Sequence, residues 1–141
     1  MTTAIAVVLF LVFLFLASMH VYWAMGGRWG GEAVVPTKDD NAPVFKPGPL
    51  PTLIVAAGLL LLGLVVLVSA GLIAFRLPVW INHYALWIIA AVFMFRAMGD
   101  FKYVGFFKKI TKTRFGQNDS KFYSPLCLVI SILTIILALY K

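Results

Sequence analysis

Four apolar runs divide the chain: Ala4 to Met25, Leu50 to Phe75, Val79 to Gly99 and Phe122 to Tyr140. Each is about 19 to 26 residues long, roughly 28 to 39 Å as α-helix, against a bilayer hydrocarbon core of about 30 Å. No water reaches the bilayer core to bond free N–H and C=O groups, so a spanning segment must satisfy its own backbone as a helix or close into a barrel. Barrel strands would be only about 9 to 11 residues long. The sequence therefore predicts an all-α polytopic membrane protein, a bundle of four transmembrane helices in one domain over residues 1–141. Pro51 suits the first turn of the second helix, and that run is long enough to tilt or protrude. The first run lacks a basic leader, and its apolar core is longer than that of a cleaved signal, so it reads as a retained span.

Charge is scarce and unevenly placed. Only 12% of the residues are charged while 62% are hydrophobic, too few charges for a surface solvated by water. The net charge of +7 comes from cations gathered at the ends of the apolar runs. That placement makes membrane lipids the expected partners, with no nucleic acid. The connections 26–49 and 100–121, with Arg96, hold ten of the twelve Lys and Arg residues, and the other side holds only Arg76 and Lys141. The bias places both long connections in the cytoplasm and both termini outside it, in a plasma or inner membrane.

Several chemistries are excluded. Cys127 is the one cysteine, so there is no internal disulfide and no paired-thiol redox centre. His20 and His83 fall near opposite faces of the membrane and cannot share a metal or a haem iron, so we expect no cofactor and no metal site. None of Glu32, Asp39, Asp40, Asp100 and Asp119 lies in the middle of a span, as a proton-coupled exporter would require. No phosphate-binding loop, serine triad or zinc-protease motif is present.

The stretch FRAMGDFKYVGFFKKITKTRF, residues 95–115, raises a sharper question. Gly99 suits the position after a helix and Asp100 the cap of the next. At 100° per residue, Tyr103, Phe106, Phe107 and Ile110 share one sector, while Lys102, Lys108, Lys109 and Lys112 occupy the other. That pattern predicts a short basic amphipathic helix in the membrane interface between the third and fourth spans, its lysines on lipid headgroups. In the second span, Ala56, Gly63, Ala70 and Ala74 form a stripe of small residues suited to close helix packing.

Polar residues recur near the same boundary. His20 lies in the last turns of the first helix, Trp23, Arg28, Trp29 and Glu32 follow, Arg96 sits about one turn from the end of the third, and Tyr123 opens the fourth. Ionisable groups at membrane depth usually face protein or a cavity. Arg96 could pair with Asp100 or Glu32, His20 could bond a carbonyl, and the tryptophans could form an aromatic belt. Taken together, His20, Trp23, Arg28, Trp29, Glu32, Arg96, Asp100 and Tyr123 are the candidate ligand-binding residues.

The segments HVYWAMGGRWG, AVVPT, FRAMGDFKYVGFFKK, TRF and YSPLCL resemble a family of small, mostly bacterial four-span membrane proteins known as a domain of unknown function. The resemblance covers nearly the whole chain. It implies a four-helix membrane protein and supplies no activity, substrate or cofactor. Three functions fit: binding of a small polar or anionic ligand or lipid headgroup at the polar cluster; a membrane enzyme using His20 as acid or base on a lipid-like or isoprenoid substrate; or an accessory subunit packed on a membrane partner or on a second copy of itself.

Overall fold

The computed structural model of the protein describes residues 1–40 and 42–141. Its helices are α1 (Thr2–Ala24), the single turn α2 (Gly31–Val34), α3 (Pro49–Ser69), α4 (Val79–Met98), the short α5 (Arg114–Asn118) and α6 (Ser124–Tyr140). A π-helical turn, Asp119–Tyr123, joins α5 to α6 without a break. The described residues form no strand, only an isolated bridge between Thr37 and Pro43. Four helices are long and apolar enough to cross a membrane: α1, α3, α4 and the continuous run Arg114–Tyr140.

Only 17–28% of the most apolar stretch of each is buried within the protein. Phe15, Leu61, Ile88 and Val129 are among the large apolar side chains left on the outside. An apolar exterior of this extent needs lipid around it. The protein is therefore a membrane protein with four helices of spanning length, as the apolar runs predict.

The helices pack as two antiparallel pairs, α1 with α3 and α4 with α6, and the pairs meet chiefly through α1 and α6. The core runs along the middle: Ala6, Leu9 and Phe13 of α1, Val66 of α3, Leu86, Ile89 and Phe93 of α4, and Ile130 and Leu137 of α6. The rings of Phe13 and Phe93 lie 5.4 Å apart and join the two pairs. Ser131 donates to the carbonyl of Ala90 at 2.7 Å, a hydrogen bond between α6 and α4.

The small-residue stripe of the second span is only partly intact. Ala56 and Gly63 are buried, and a Cβ on Gly63 would come within 3.1 Å of the Phe10 ring and 3.2 Å of Phe13 Cβ. Those residues let α1 and α3 approach closely, so this part of the stripe serves the internal seam and is not free for a partner. Ala74 lies beyond the helix and exposed. Helix α3, the second span, ends at Ser69, short of Phe75, because Gly71 adopts a left-handed φ of 73°. There the N–H of Gly71 bonds the carbonyl of Val68 and that of Leu72 the carbonyl of Leu67, closing the last turn. Residues 70–75 are apolar enough to prolong the run, but they are not helical.

The segment Phe101–Ile110 contains no helix, correcting the expectation of an interfacial amphipathic helix between the third and fourth spans. It is a compact irregular loop, and the next helix, α5, begins only at Arg114, capped by the Thr113 hydroxyl, which accepts from Gly116 N–H at 3.0 Å. The reason lies in the buried charge described below.

Replacing Gly63 with Leu forces α1 and α3 apart at their closest point. The expected result is a loss of about 1–3 kcal/mol of stability, read as a lowered thermal midpoint of the detergent-solubilised protein. An unchanged midpoint would show that the seam is not tightly packed.

Candidate functional site

The centre of the polar end is Asp119, an aspartate with no solvent exposure. A buried carboxylate requires compensating charge and hydrogen bonds, and four groups supply them. Arg96 Nη2 lies 3.0 Å from Oδ1. Lys108 Nζ lies 3.0 Å from Oδ2, the Gly105 N–H donates to the same oxygen at 2.7 Å, and the Ser124 hydroxyl donates to it at 3.1 Å. The Lys108 ammonium is itself buried and saturated, donating also to the Gly105 carbonyl at 2.9 Å and the Ser120 hydroxyl at 2.6 Å.

Local sequence explains how Asp119 reaches this place. Pro125, at the start of α6, has no N–H to offer a carbonyl one turn back, and its ring crowds that carbonyl. The helix widens into the π turn immediately before it. The wider turn brings Ser124, five residues on, into hydrogen-bonding range of Asp119. On the partner side, Gly105 takes a φ of 90°, and a Cβ there would lie 2.2 Å from the Met98 carbonyl oxygen. Only glycine lets this loop fold back on the end of α4 and present its N–H to the carboxylate.

This network overrides the amphipathic pattern. A regular helix over 101–113 could not give Gly105 its left-handed backbone or carry Lys108 inward. Lys108 is therefore no headgroup ligand, whereas Lys102, Lys109 and Lys112 are exposed, Lys102 with its ammonium 5.1 Å from the centre of the Tyr103 ring. Asp100 caps no helix. Its Oδ1 accepts from the N–H groups of Lys102, Tyr103 and Val104 at 3.0, 2.7 and 2.9 Å, which shapes the turn after α4. Partial burial pushes the Asp100 carboxyl up, but the donors from Val104, Lys102 and Tyr103 outweigh it and hold the group below the usual carboxylate range.

The other sequence candidates separate into smaller groups. His20 Nδ1 lies 2.7 Å from the Leu16 carbonyl, so that nitrogen donates, and its ring meets Trp23 edge-on. Trp23 Nε1 donates to the Trp29 carbonyl at 2.8 Å, and the Trp29 N–H donates to the Tyr22 hydroxyl at 3.3 Å. These contacts fold the chain back after α1, with the Trp29 side chain 74% exposed. Arg28 is exposed. Tyr123 donates to the Ala33 carbonyl at 3.1 Å and so ties the first connection to the last helix. Glu32 faces Arg114, 3.8 Å away, with both side chains largely exposed. Among the described residues no hydrogen bond or ion pair links His20, Arg28 or Glu32 to Arg96. Arg96 instead reaches Asp119, which the acid's loop-like setting in the sequence did not single out.

A concavity of about 550 Å³ opens where the first connection meets α5. Glu32, Thr37, Lys46 and Arg114 are its polar wall, and Val35, Pro43, Phe45 and Pro47 its apolar one. The Thr37 hydroxyl is buried and meets no hydrogen-bond partner among the described residues. Of the sequence candidates only Glu32 lines this concavity.

Truncating Asp119 to Ala strands the Lys108 ammonium in the interior. A loss of about 3–5 kcal/mol is expected, with rapid tryptic cleavage at Lys102 and Lys109; a fully stable variant would refute the network's structural role. Asp100 has a folded pKa below its unfolded one, so its stabilisation is present at neutral pH and lost as pH falls through the lowered value. Hydrogen exchange, corrected for intrinsic rate, should show the Lys102, Tyr103 and Val104 amides protected through the ordinary carboxylate titration range and released only below it. Release at or above that range would contradict the assignment.

Comparison with known proteins gives one match. The family model described as a protein of unknown function, DUF3995, matches residues 13–134. No curated protein and no solved structure matches the chain. The matched region takes in α3 and α4 whole, about half of α1, most of α6, both long connections and every residue of the Asp119 network. The chain therefore belongs to the DUF3995 family of proteins of unknown function.

Proposed function

We propose that this membrane protein binds a small anionic ligand or lipid headgroup at the end of the bundle that carries both long connections. The observation that carries this reading is the concavity bounded by Glu32, Thr37, Lys46 and Arg114. Its volume of about 550 Å³ falls in the usual range for small-molecule sites, about 300–1,000 Å³. Two cations face one carboxylate there, so the wall has a net positive charge. The Arg114–Glu32 contact is long and exposed, worth at most about 1 kcal/mol, and Arg114 can exchange it for an anion at little cost. Buried Asp119 has a different role: with Lys108 and Arg96 it holds the 99–113 loop and α5, and hence Arg114, in place.

In this reading the ten cations at the loop end face the cytoplasm, where anionic headgroups concentrate, and both termini lie on the other side. Lys102, Lys109 and Lys112 add a general attraction for that surface, and the site supplies the specific contact. His20, Trp23 and Trp29 shape the chain that leads into the concavity.

Two measurements test the reading. Each cation near the surface contributes about 1 kcal/mol. Lys46→Gln with Arg114→Gln should therefore weaken binding of glycerol 1-phosphate and phosphatidylglycerol by roughly thirtyfold, measured by microscale thermophoresis in detergent. Binding at wild-type strength would remove the proposal. For orientation, Lys109→Cys in a Cys127→Ala background should resist an impermeant maleimide in intact cells and react in inside-out vesicles. Labelling from outside would reverse the topology.

A further inference from the structure

A second concavity lies on the lipid-facing side of the α1–α3 seam. Leu14, Ala17, Ser18 and Val21 form one wall and Leu53, Ala56, Ala57 and Leu60 the other, around about 570 Å³. Each wall spans eight residues of helix, so the groove runs about 10 Å along the bundle. Ala17 and Ala56 are buried at its floor. Its one hydroxyl, on Ser18, already donates to the Leu14 carbonyl at 2.8 Å, and the groove is otherwise lined chiefly by apolar atoms. Lipid-facing surfaces are usually filled out by large side chains. Here alanines leave a furrow.

The furrow and the cationic concavity belong to one end of the molecule. Lys46 lines the concavity and Leu53 the furrow. Three residues of extended chain and about one turn of α3 separate them, so their backbones are at most about 17 Å apart. That is close to the depth of one leaflet, about half of a 30 Å hydrocarbon core. A partly polar recess with excess positive charge and an apolar furrow no more than about one leaflet-depth away match the two ends of one amphiphile.

We propose that both are occupied by a single phosphate-headed lipid, its headgroup held by Lys46 and Arg114 and one acyl chain lying in the α1–α3 furrow. The inference rests on the reading of the loop concavity as an anion site and adds the class of ligand and the seat of its chain. A soluble phosphate would fill only the first recess. A transmembrane partner helix would cover the furrow without needing the cations.

The test uses the full-length protein in detergent with two probes, dioleoyl phosphatidylglycerol and the chain-free glycerol 1-phosphate. Ala57→Phe fills the furrow from an exposed position, and Ser18→Phe fills it from the opposite wall should the first variant fold poorly. The expected result is at least about a tenfold loss of phosphatidylglycerol affinity with glycerol 1-phosphate binding unchanged. Unchanged lipid affinity in the filled variants would overturn the furrow assignment while leaving the anion site standing. If Lys46→Gln with Arg114→Gln leaves binding of both probes intact, the anion site itself fails and the lipid proposal falls with it. In the unmodified protein, phosphatidylglycerol with a photoreactive diazirine in one chain should label the peptides containing Leu14–Val21 and Leu53–Leu60. Labelling spread evenly over the four helices, or furrow protection that tracks dimer formation without lipid, would also refute the proposal.

Discussion

One buried carboxylate organises the polar end of this protein. Asp119 cannot stay ionised in the interior alone, and its neutralisation draws in an arginine from α4, a lysine and a backbone N–H from the following loop, and a hydroxyl from the first turn of α6. Each of those groups is held by the chain around it. The result is a loop without regular secondary structure that is nonetheless specified in detail, by charge compensation where a helix would have been specified by apolar packing. Buried ion pairs are weak evidence for stability in themselves, since desolvation offsets much of the attraction. Their better-attested effect is to fix one arrangement among several, and here they set the position of α5 and of Arg114 at the loop concavity.

The two helix pairs are held differently. The α1–α3 seam is apolar and close, with Gly63 against Phe10 and Phe13. The α4–α6 pair carries the Ser131–Ala90 hydrogen bond within the apolar region and the Asp119 network at its end. Most of the outer surface is left to lipid, so the interior is narrow, and the two concavities described lie at the loop end and along the α1–α3 seam.

The number and approximate extent of the helices were legible because span length is set by bilayer thickness, and a run of some twenty apolar residues has few other uses. The tight α1–α3 approach was legible in Ala56 and Gly63. The end of α3 was not, because Leu72, Ile73 and Phe75 continue the apolar run after Gly71 has already reversed the backbone. The site was read least well. Lys108 and Lys109 are neighbours of identical chemistry, yet one is buried and the other exposed. What separates them is a carboxylate eleven residues away, which no local period records. Asp119 itself sits among Asn118, Ser120 and Lys121, a setting that reads as a solvated loop. Only Pro125, which forces the wider turn before it, hinted that the helical run extends back past the apolar boundary.

The spacing of the network along the chain also bears on how the protein is made. A polypeptide enters the membrane in order, at about 5–20 residues per second. Arg96 and Lys108 are therefore synthesised before the anion that neutralises them. Until Asp119 emerges, α4 carries an uncompensated arginine near its end, which favours keeping that end at the aqueous boundary. The contact that then forms closes a short loop, which needs little chain entropy. Every group of the network lies between Arg96 and Ser124, so its closure needs nothing from the first two spans.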